Sequence, residues 1–184
     1  MESKETTEIK KPDFLYHASS NSNTDVIEPK RNSFRDPGEG KVVFATSSKP
    51  YASMFLVRGH DDWTHKGRFN GVYYTVINDR ERFKNLDKGG SIYFLPSDTF
   101  SYDESKGMGS IEWTSKVKVT PVKREGYRSG LNAMIDNGVQ VYFVDKETWK
   151  KINESDDHGF RILSELESEN KKVNRNYLNI LGEE

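Results

Sequence analysis

The stretch FLYHASSNSNTDVIEPKRNSFRDPGEGKVVFATSSKPYASMF, residues 14–55, decides the fold that we predict for this chain. It holds two apolar runs, FLYHAS (14–19) and VVFATS (42–47), on either side of a loop rich in Asn, Pro and Gly. Alternation in the first run predicts a strand in which His17 shares a face with Leu15. The second run is continuously apolar, which predicts a central strand buried on both faces.

A helix is predicted directly after the second strand, over residues 49–58. Ser48 is a common helix N-cap, and Pro50 suits the first helical turn. Tyr51 and Phe55 are four residues apart, so we expect them to form an inward-facing stripe. The two strands thus bring a histidine and a hydroxyl-rich turn to their ends.

The rest of the chain predicts an α+β fold with few and short helices. Further strands are predicted over 71–77, 91–97, 110–116 and 139–145, a short helix over 129–138, and helical or mixed structure over 146–184. The segment HDDWTHKGRFN (60–70) is predicted to be loop. Most connections are too short or irregular for repeated βαβ crossovers, which favours a mixed or split, antiparallel-rich sheet.

Length and composition favour one cytoplasmic domain. The 184 residues fit a single α+β domain over 13–184 after a polar, disordered lead-in over 1–12, which has no signal-peptide pattern. The net charge of −1 gives no global attraction to nucleic acid or membranes. No apolar run approaches the roughly 20 residues that span a bilayer. The absence of cysteine excludes disulfides and thiol catalysis.

Histidines and carboxylates are the candidates for chemistry. His60 and His65 flank Asp61 and Asp62, which are metal-ligand residue types, but a solvated polar loop is the favoured interpretation and we predict no metal. The chain has no GxSxG elbow, no GxGxxG motif and no GxxxxGK phosphate loop. A nucleotide would therefore be bound without those devices.

Glu112 and His17 are the two residues for which a chemical role is predicted. Glu112 lies between Ile111 and Trp113, so alternation places its carboxylate on the face opposite theirs. A carboxylate beside apolar neighbours can hold hydroxyl groups or stabilise developing positive charge. The alternatives are a strand glutamate that faces water, and a half-buried histidine satisfied by the backbone.

Three motifs, in order, resemble the ADP-ribosyltransferase fold. LYHAS resembles its histidine strand, VVFATSSKPYASMF its second motif of strand, small-residue turn and aromatic-bearing helix, and SIEWTS its glutamate strand. The resemblance covers residues 14–145 and is to the His-Tyr-Glu branch of diphtheria-toxin-like and PARP-like enzymes. The RNA 2′-phosphotransferases share that fold and also use NAD.

The resemblance implies specific roles in binding NAD as a substrate. His17 would bond a ribose hydroxyl, and the backbone of Ala18 would face the nicotinamide amide. Glu112 would hold the 2′-hydroxyl of the nicotinamide ribose and stabilise the oxocarbenium-like state. Tyr51 or Phe55 would stack on the nicotinamide ring.

The hydroxyl cluster Thr46, Ser47 and Ser48 completes the implied NAD-binding set, with Ser47 or Ser48 touching the carboxamide. Two departures from the family stand out: Ala18 replaces the usual glycine, and the arginines that hold RNA phosphates have no clear counterpart. We expect either transfer of ADP-ribose to a protein or nucleic-acid acceptor, or a non-catalytic binding module on the same scaffold. No membrane partner is expected.

Overall fold

Nine strands and five α-helices form the part of the chain that the computed structural model describes, residues 10–173. The strands are β1 (Phe14–Ser19), β2 (Arg31–Asn32), β3 (Lys41–Thr46), β4 (Thr64–Phe69), β5 (Val72–Ile77), β6 (Gly90–Pro96), β7 (Glu112–Ser115), β8 (Lys123–Tyr127) and β9 (Gln140–Phe143). The helices are α1 (Lys49–Ser53), α2 (Arg80–Leu86), α3 (Gly130–Asp136), α4 (Lys146–Glu154) and α5 (Phe160–Ser168). Two mainly antiparallel sheets and short helices confirm the predicted α+β class.

Contacts divide the described chain into two compact units. The first unit comprises residues 10–17, 24–48 and 93–124, and the second comprises 18–23, 49–92 and 125–173. The single domain predicted over 13–184 stays a prediction. The predicted lead-in over 1–12 lies outside the described residues except for 10–12, as does the part of the predicted C-terminal segment beyond 173.

Strand β3 organises the sheet of the first unit, in which the strands follow the order β2-β3-β1-β6. β1 pairs antiparallel with one edge of β3. β2 and β7 share the other edge, because β2 pairs with residues 41–42 and β7 with residues 43–46. The continuous apolar run predicted for this strand is confirmed, since four of its six residues are buried.

One face of this sheet forms the core of the first unit. Leu15, Val43, Ala45 and Trp113 are almost fully buried there and pack in one cluster. The register explains the grouping, because Ala45 lies opposite Trp113 and cross-strand partners project to the same face. The residues that alternate with these along each strand project to the other face of the sheet.

The second unit is a three-stranded sheet, β4-β5-β9, with helices on both faces. β4 and β5 are antiparallel, whereas β5 and β9 are parallel. Buried residues of α2 and α3 pack on one face in the cluster of Tyr73 and Ile77. Buried residues of α4 and α5 pack on the other face in the cluster of Tyr74 and Val76. No helix among the described residues is long and apolar enough to cross a membrane.

Two local predictions were wrong. The segment predicted as loop over 60–70 contains β4, whose residues are all partly or fully exposed, so the strand lacks the apolar signal of a buried one. The helix predicted over 49–58 ends at Ser53. As a result Phe55 lies after the helix, and the residue is 45% exposed instead of facing inward.

Thr75→Val is expected to stabilise the second unit by about 1–2 kcal/mol. Thr75 is 1% exposed on β5, and its hydroxyl has no hydrogen-bond partner in residues 10–173. It lies opposite Lys66, with which it lines a small cavity, and burial lowers the pKa of that lysine to about 8. A methyl group in place of the hydroxyl removes the cost of desolvating an unpaired polar atom.

Urea denaturation of the two proteins measures this difference. Thr64→Val is the matched control on the neighbouring strand, because the Thr64 hydroxyl donates to the His60 carbonyl oxygen at 3.0 Å. The control should lose stability where Thr75→Val gains it. A loss in both variants would show that the Thr75 hydroxyl has a partner in solution.

Candidate functional site

Three neighbouring strands of the first unit carry three of the predicted site residues, His17, Thr46 and Glu112. Tyr16 on β1 lies opposite Thr46 on β3, and Thr46 lies opposite Glu112 on β7. These three side chains therefore share the face of the sheet that does not form the core. His17 follows Tyr16 directly. Folding thus brings together residues that are nearly one hundred positions apart in the chain.

The imidazole of His17 is held by the neighbouring strand. Its Nδ1 lies 2.6 Å from the carbonyl oxygen of Phe44. A carbonyl oxygen only accepts, so Nδ1 carries the proton and the neutral ring leaves Nε2 as an acceptor. Burial lowers the pKa of His17, outweighing the opposing effect of the Phe44 hydrogen bond. At neutral pH the side chain is accordingly an uncharged acceptor.

The His17 side chain bonds β3 one residue beyond the registered pair of β1 and β3. Tyr16 and Thr46 are the registered pair of these strands, and at the next residue a side-chain nitrogen bonds β3 where a backbone donor would. Strict alternation starts the His17 side chain on the core face, with Leu15, and the Glu112 side chain on the other. The side chains of His17 and Glu112 therefore start on opposite faces of the sheet.

The carboxylate of Glu112 is covered by the loop that precedes β7. The residue is 9% exposed, and its Oε2 accepts a hydrogen bond from the Met108 amide at 3.0 Å. Gly107 lies against the same oxygen, so closely that a Cβ there would overlap it. The sequence prediction that this carboxylate projects opposite to Trp113 agrees with the burial of Trp113 in the core.

Arg35 fixes the backbone of β7 at Glu112 and was missed in the sequence. Its Nη1 donates to the Glu112 carbonyl oxygen at 2.7 Å, and its Nη2 donates to Thr114 Oγ1 at 2.9 Å. The same guanidinium forms an ion pair with Glu39, at 2.7 Å. The signal available was the Arg-x-x-x-Glu spacing across a Pro-Gly turn, which brings residues 35 and 39 together.

The hydroxyl cluster after β3 lies beside the start of β7. The Ser47 amide donates to the Ile111 carbonyl oxygen at 3.2 Å, and its hydroxyl to the Ser110 carbonyl oxygen at 3.3 Å. The Ser48 amide donates to Thr46 Oγ1 at 3.1 Å. The cluster is therefore adjacent to Glu112 within one unit, although the hydroxyls of Thr46 and Ser47 already have backbone partners.

Ala18, Tyr51 and Phe55 belong to the second unit, so their predicted roles stay predictions. Tyr51 and Phe55 contact each other edge to face, with ring centroids 5.0 Å apart. The ammonium group of Lys66 lies 5.1 Å from the Phe55 ring centroid. The cavity described in this unit is lined by other residues, among them Trp63 and Thr75.

The alternative metal site is not assembled in the described part of the chain. His60 pairs with Asp62 at 2.7 Å, whereas His65 lies between Asn153 and the Tyr74 hydroxyl, at 3.2 Å from each. No group of three or more His, Asp or Glu side chains within residues 10–173 is close enough to hold an ion.

Gly107→Ala is expected to destabilise the first unit more than Gly40→Ala. Both glycines have positive φ, +53° and +73°, so each alanine incurs about 1–3 kcal/mol of backbone strain. The added Cβ at Gly107 would also overlap Glu112 Oε2, whereas nothing lies within 4 Å of one at Gly40. Denaturation measures the loss of stability in each variant. Hydrogen exchange of the Met108 amide reports whether its hydrogen bond to the Glu112 carboxylate is kept. Equal losses with an unchanged amide would contradict this packing.

Comparisons of the chain with models of protein families, with curated proteins and with solved structures give no match. The candidate site is therefore argued from its own residues.

Proposed function

We propose that this protein binds NAD and transfers its ADP-ribose group to an acceptor, in the manner of His-Tyr-Glu ADP-ribosyltransferases. One observation supports the proposal: His17 and Glu112 occur on the two strands that flank β3, where Tyr16, next to His17, and Glu112 both lie opposite Thr46. An imidazole acceptor and a carboxylate are the two groups that this chemistry requires around the nicotinamide ribose.

The tautomer of the His17 imidazole suits a hydrogen bond from a ribose hydroxyl. Nδ1 is committed as a donor to Phe44, and burial keeps the ring neutral, so Nε2 accepts. A ribose hydroxyl can donate to that nitrogen. In this proposal the ribose lies beside His17, one residue beyond the registered pair of Tyr16 and Thr46.

The negative charge of the Glu112 carboxylate suits cleavage of the bond between the ribose and nicotinamide. When the bond between C1′ of the ribose and N1 of nicotinamide breaks, the electron pair leaves with nicotinamide and positive charge develops on the sugar. A carboxylate at Glu112 stabilises that charge more in the transition state than in bound NAD. The acceptor then forms a bond to C1′ with its own electron pair and releases a proton to solvent.

A non-catalytic binding module is the second candidate, and the cover on Glu112 favours it. The carboxylate already accepts from Met108 and is 9% exposed, so contact with a ribose requires movement of this loop. Such a module would use the same scaffold to engage a protein or nucleic-acid partner.

Titration with NAD and measurement of nicotinamide release separate the two candidates. Saturable binding with release above the spontaneous rate supports the transferase. Release at the spontaneous rate in the wild-type protein removes the enzyme hypothesis, and the absence of NAD binding removes its substrate as well.

His17→Ala is expected to weaken NAD binding about tenfold, the value of one hydrogen bond. Acidification should act in the same direction on the wild type, because protonation of Nε2 replaces the acceptor with a donor. Since burial lowers the pKa of His17, this loss begins below the ordinary histidine pKa of about 6.5. The same shift makes folding stability decrease as the pH is lowered through that range. The reason is that the unfolded chain takes up the proton at a higher pH than the folded chain.

Isothermal titration at several pH values measures both effects. His158→Ala is the control, because this histidine lies in the second unit and outside the predicted set. Equal affinity in His17→Ala and wild type would count against the assignment.

A further inference from the structure

The guanidinium group of Arg35 is a buried charge of the first unit that bonds three different residues. Its side chain is 3% exposed, and its partners are a carboxylate, a hydroxyl and a backbone carbonyl. Nε and Nη2 both donate to Glu39, while Nη1 donates to the Glu112 carbonyl oxygen. The fork thereby joins the 33–40 loop to the first residue of β7.

These bonds hold the part of the chain from which the Glu112 side chain projects. A guanidinium has fixed planar geometry, so bonds to the Glu112 oxygen and to Thr114 Oγ1 fix both position and direction of this strand. The Arg35 side chain also flanks Gly107, where an added Cβ would lie 2.9 Å from Arg35 Cβ. Arg35 therefore bonds the β7 backbone at Glu112 and also flanks Gly107, the glycine that lies against the Glu112 carboxylate.

A second contact joins the same two loops. The Lys106 ammonium pairs with Asp36 at 2.6 Å, immediately beside Arg35 and Gly107 in sequence. The 33–40 loop and the 103–109 loop therefore meet next to Glu112, and Arg35 is the buried member of that junction.

We propose that Arg35 is a positioning residue that holds the Glu112 carboxylate in place for the chemistry at the nicotinamide ribose. The catalytic part of this inference rests on the proposed function. Arg35 touches no substrate atom in this assignment; it acts through the β7 backbone and the loop that covers Glu112.

Arg35→Lys tests the proposal, because lysine keeps the charge but has no planar fork and cannot reach all three partners at once. We expect the maximal rate of nicotinamide release to fall at least tenfold while the dissociation constant for NAD changes less than about twofold. Thr114→Val removes one of the Arg35 bonds without changing side-chain shape, and should lower the rate in the same direction by a smaller factor. Arg31→Lys, at an exposed arginine of β2, is the matched control.

Nuclear magnetic resonance of the Met108 amide and of the Glu112 carboxyl carbon supplies a readout that does not depend on catalysis. Both signals should shift in Arg35→Lys and Thr114→Val, and stay unchanged in Arg31→Lys. Unchanged signals with an unchanged rate would overturn the proposal. A fall in melting temperature with unshifted signals would also overturn it, because Arg35 would then be only structural.

The two hypotheses fail in different ways. If the wild-type protein releases no nicotinamide, the proposed function fails, and shifted signals still support the positioning of Glu112 by Arg35. If the wild-type protein releases nicotinamide and Arg35→Lys does so equally fast, the proposed function survives and the role of Arg35 is refuted.

Discussion

Glu112→Gln is expected to lower the maximal rate of nicotinamide release about 10²–10³-fold, while thermal unfolding stays close to that of the wild type. The substitution removes the negative charge that would stabilise the developing cation on the ribose. It hardly changes side-chain volume, and the amide oxygen can still accept from the Met108 N–H. Single-turnover measurement at saturating NAD isolates this step from binding.

Glu104→Gln is the matched control, since Glu104 is an exposed carboxylate on the loop that precedes β7. The control should keep the wild-type rate. An unfolded Glu112→Gln protein would assign Glu112 to the stability of the first unit, and a wild-type rate in this variant would remove its chemical role.

Arg35→Ala is expected to lower the free energy of unfolding by about 3–5 kcal/mol, the typical loss when one partner of a buried ion pair is removed. The Glu39 side chain, 13% exposed, would keep its charge without its cation. The Glu112 carbonyl oxygen and Thr114 Oγ1 would lose a donor as well. Urea denaturation measures the loss.

A double-mutant cycle with Glu39→Ala identifies the cause. Removal of both partners should cost less than the two single losses together, because no isolated charge is left buried. Additive losses would show that the pair contributes nothing beyond packing.

The pH dependence of the same proteins provides an independent check. The hydrogen bond from Arg35 lowers the pKa of Glu39, opposed by burial. A carboxylate with a lowered pKa contributes stability above its ordinary pKa and loses it as pH falls through the lowered value. Wild type should therefore lose more stability than Arg35→Ala on acidification through that range.

Local patterns in the sequence were sufficient for most of the strands. The apolar runs at 14–19, 42–47, 71–77 and 91–97 each became a strand within a residue or two. These patterns failed at β4, because its sequence THKGRF has one apolar residue and no alternation. They also failed at the end of α1, because helix length depends on the packing of its last turn rather than on residue spacing.

The candidate site was predictable in its residue types but not in its geometry. Strand alternation gave His17 and Glu112 as polar residues on apolar strands. The placement of their strands on either side of β3 depends on pairing between segments far apart in the chain, which no local pattern encodes. Arg35 was missed for the same reason, since its partners at Glu112 and Thr114 lie nearly eighty positions away.

The two edges of β3 have a consequence for synthesis of the protein. One edge pairs with β1, made earlier, but most of the other waits for β7, which begins at residue 112. At ribosomal speeds of about 5–20 residues per second, this apolar edge stays uncovered for roughly 3–13 seconds. An uncovered apolar strand can pair with other nascent chains. Yield from cells should thus depend on chaperone supply and growth temperature.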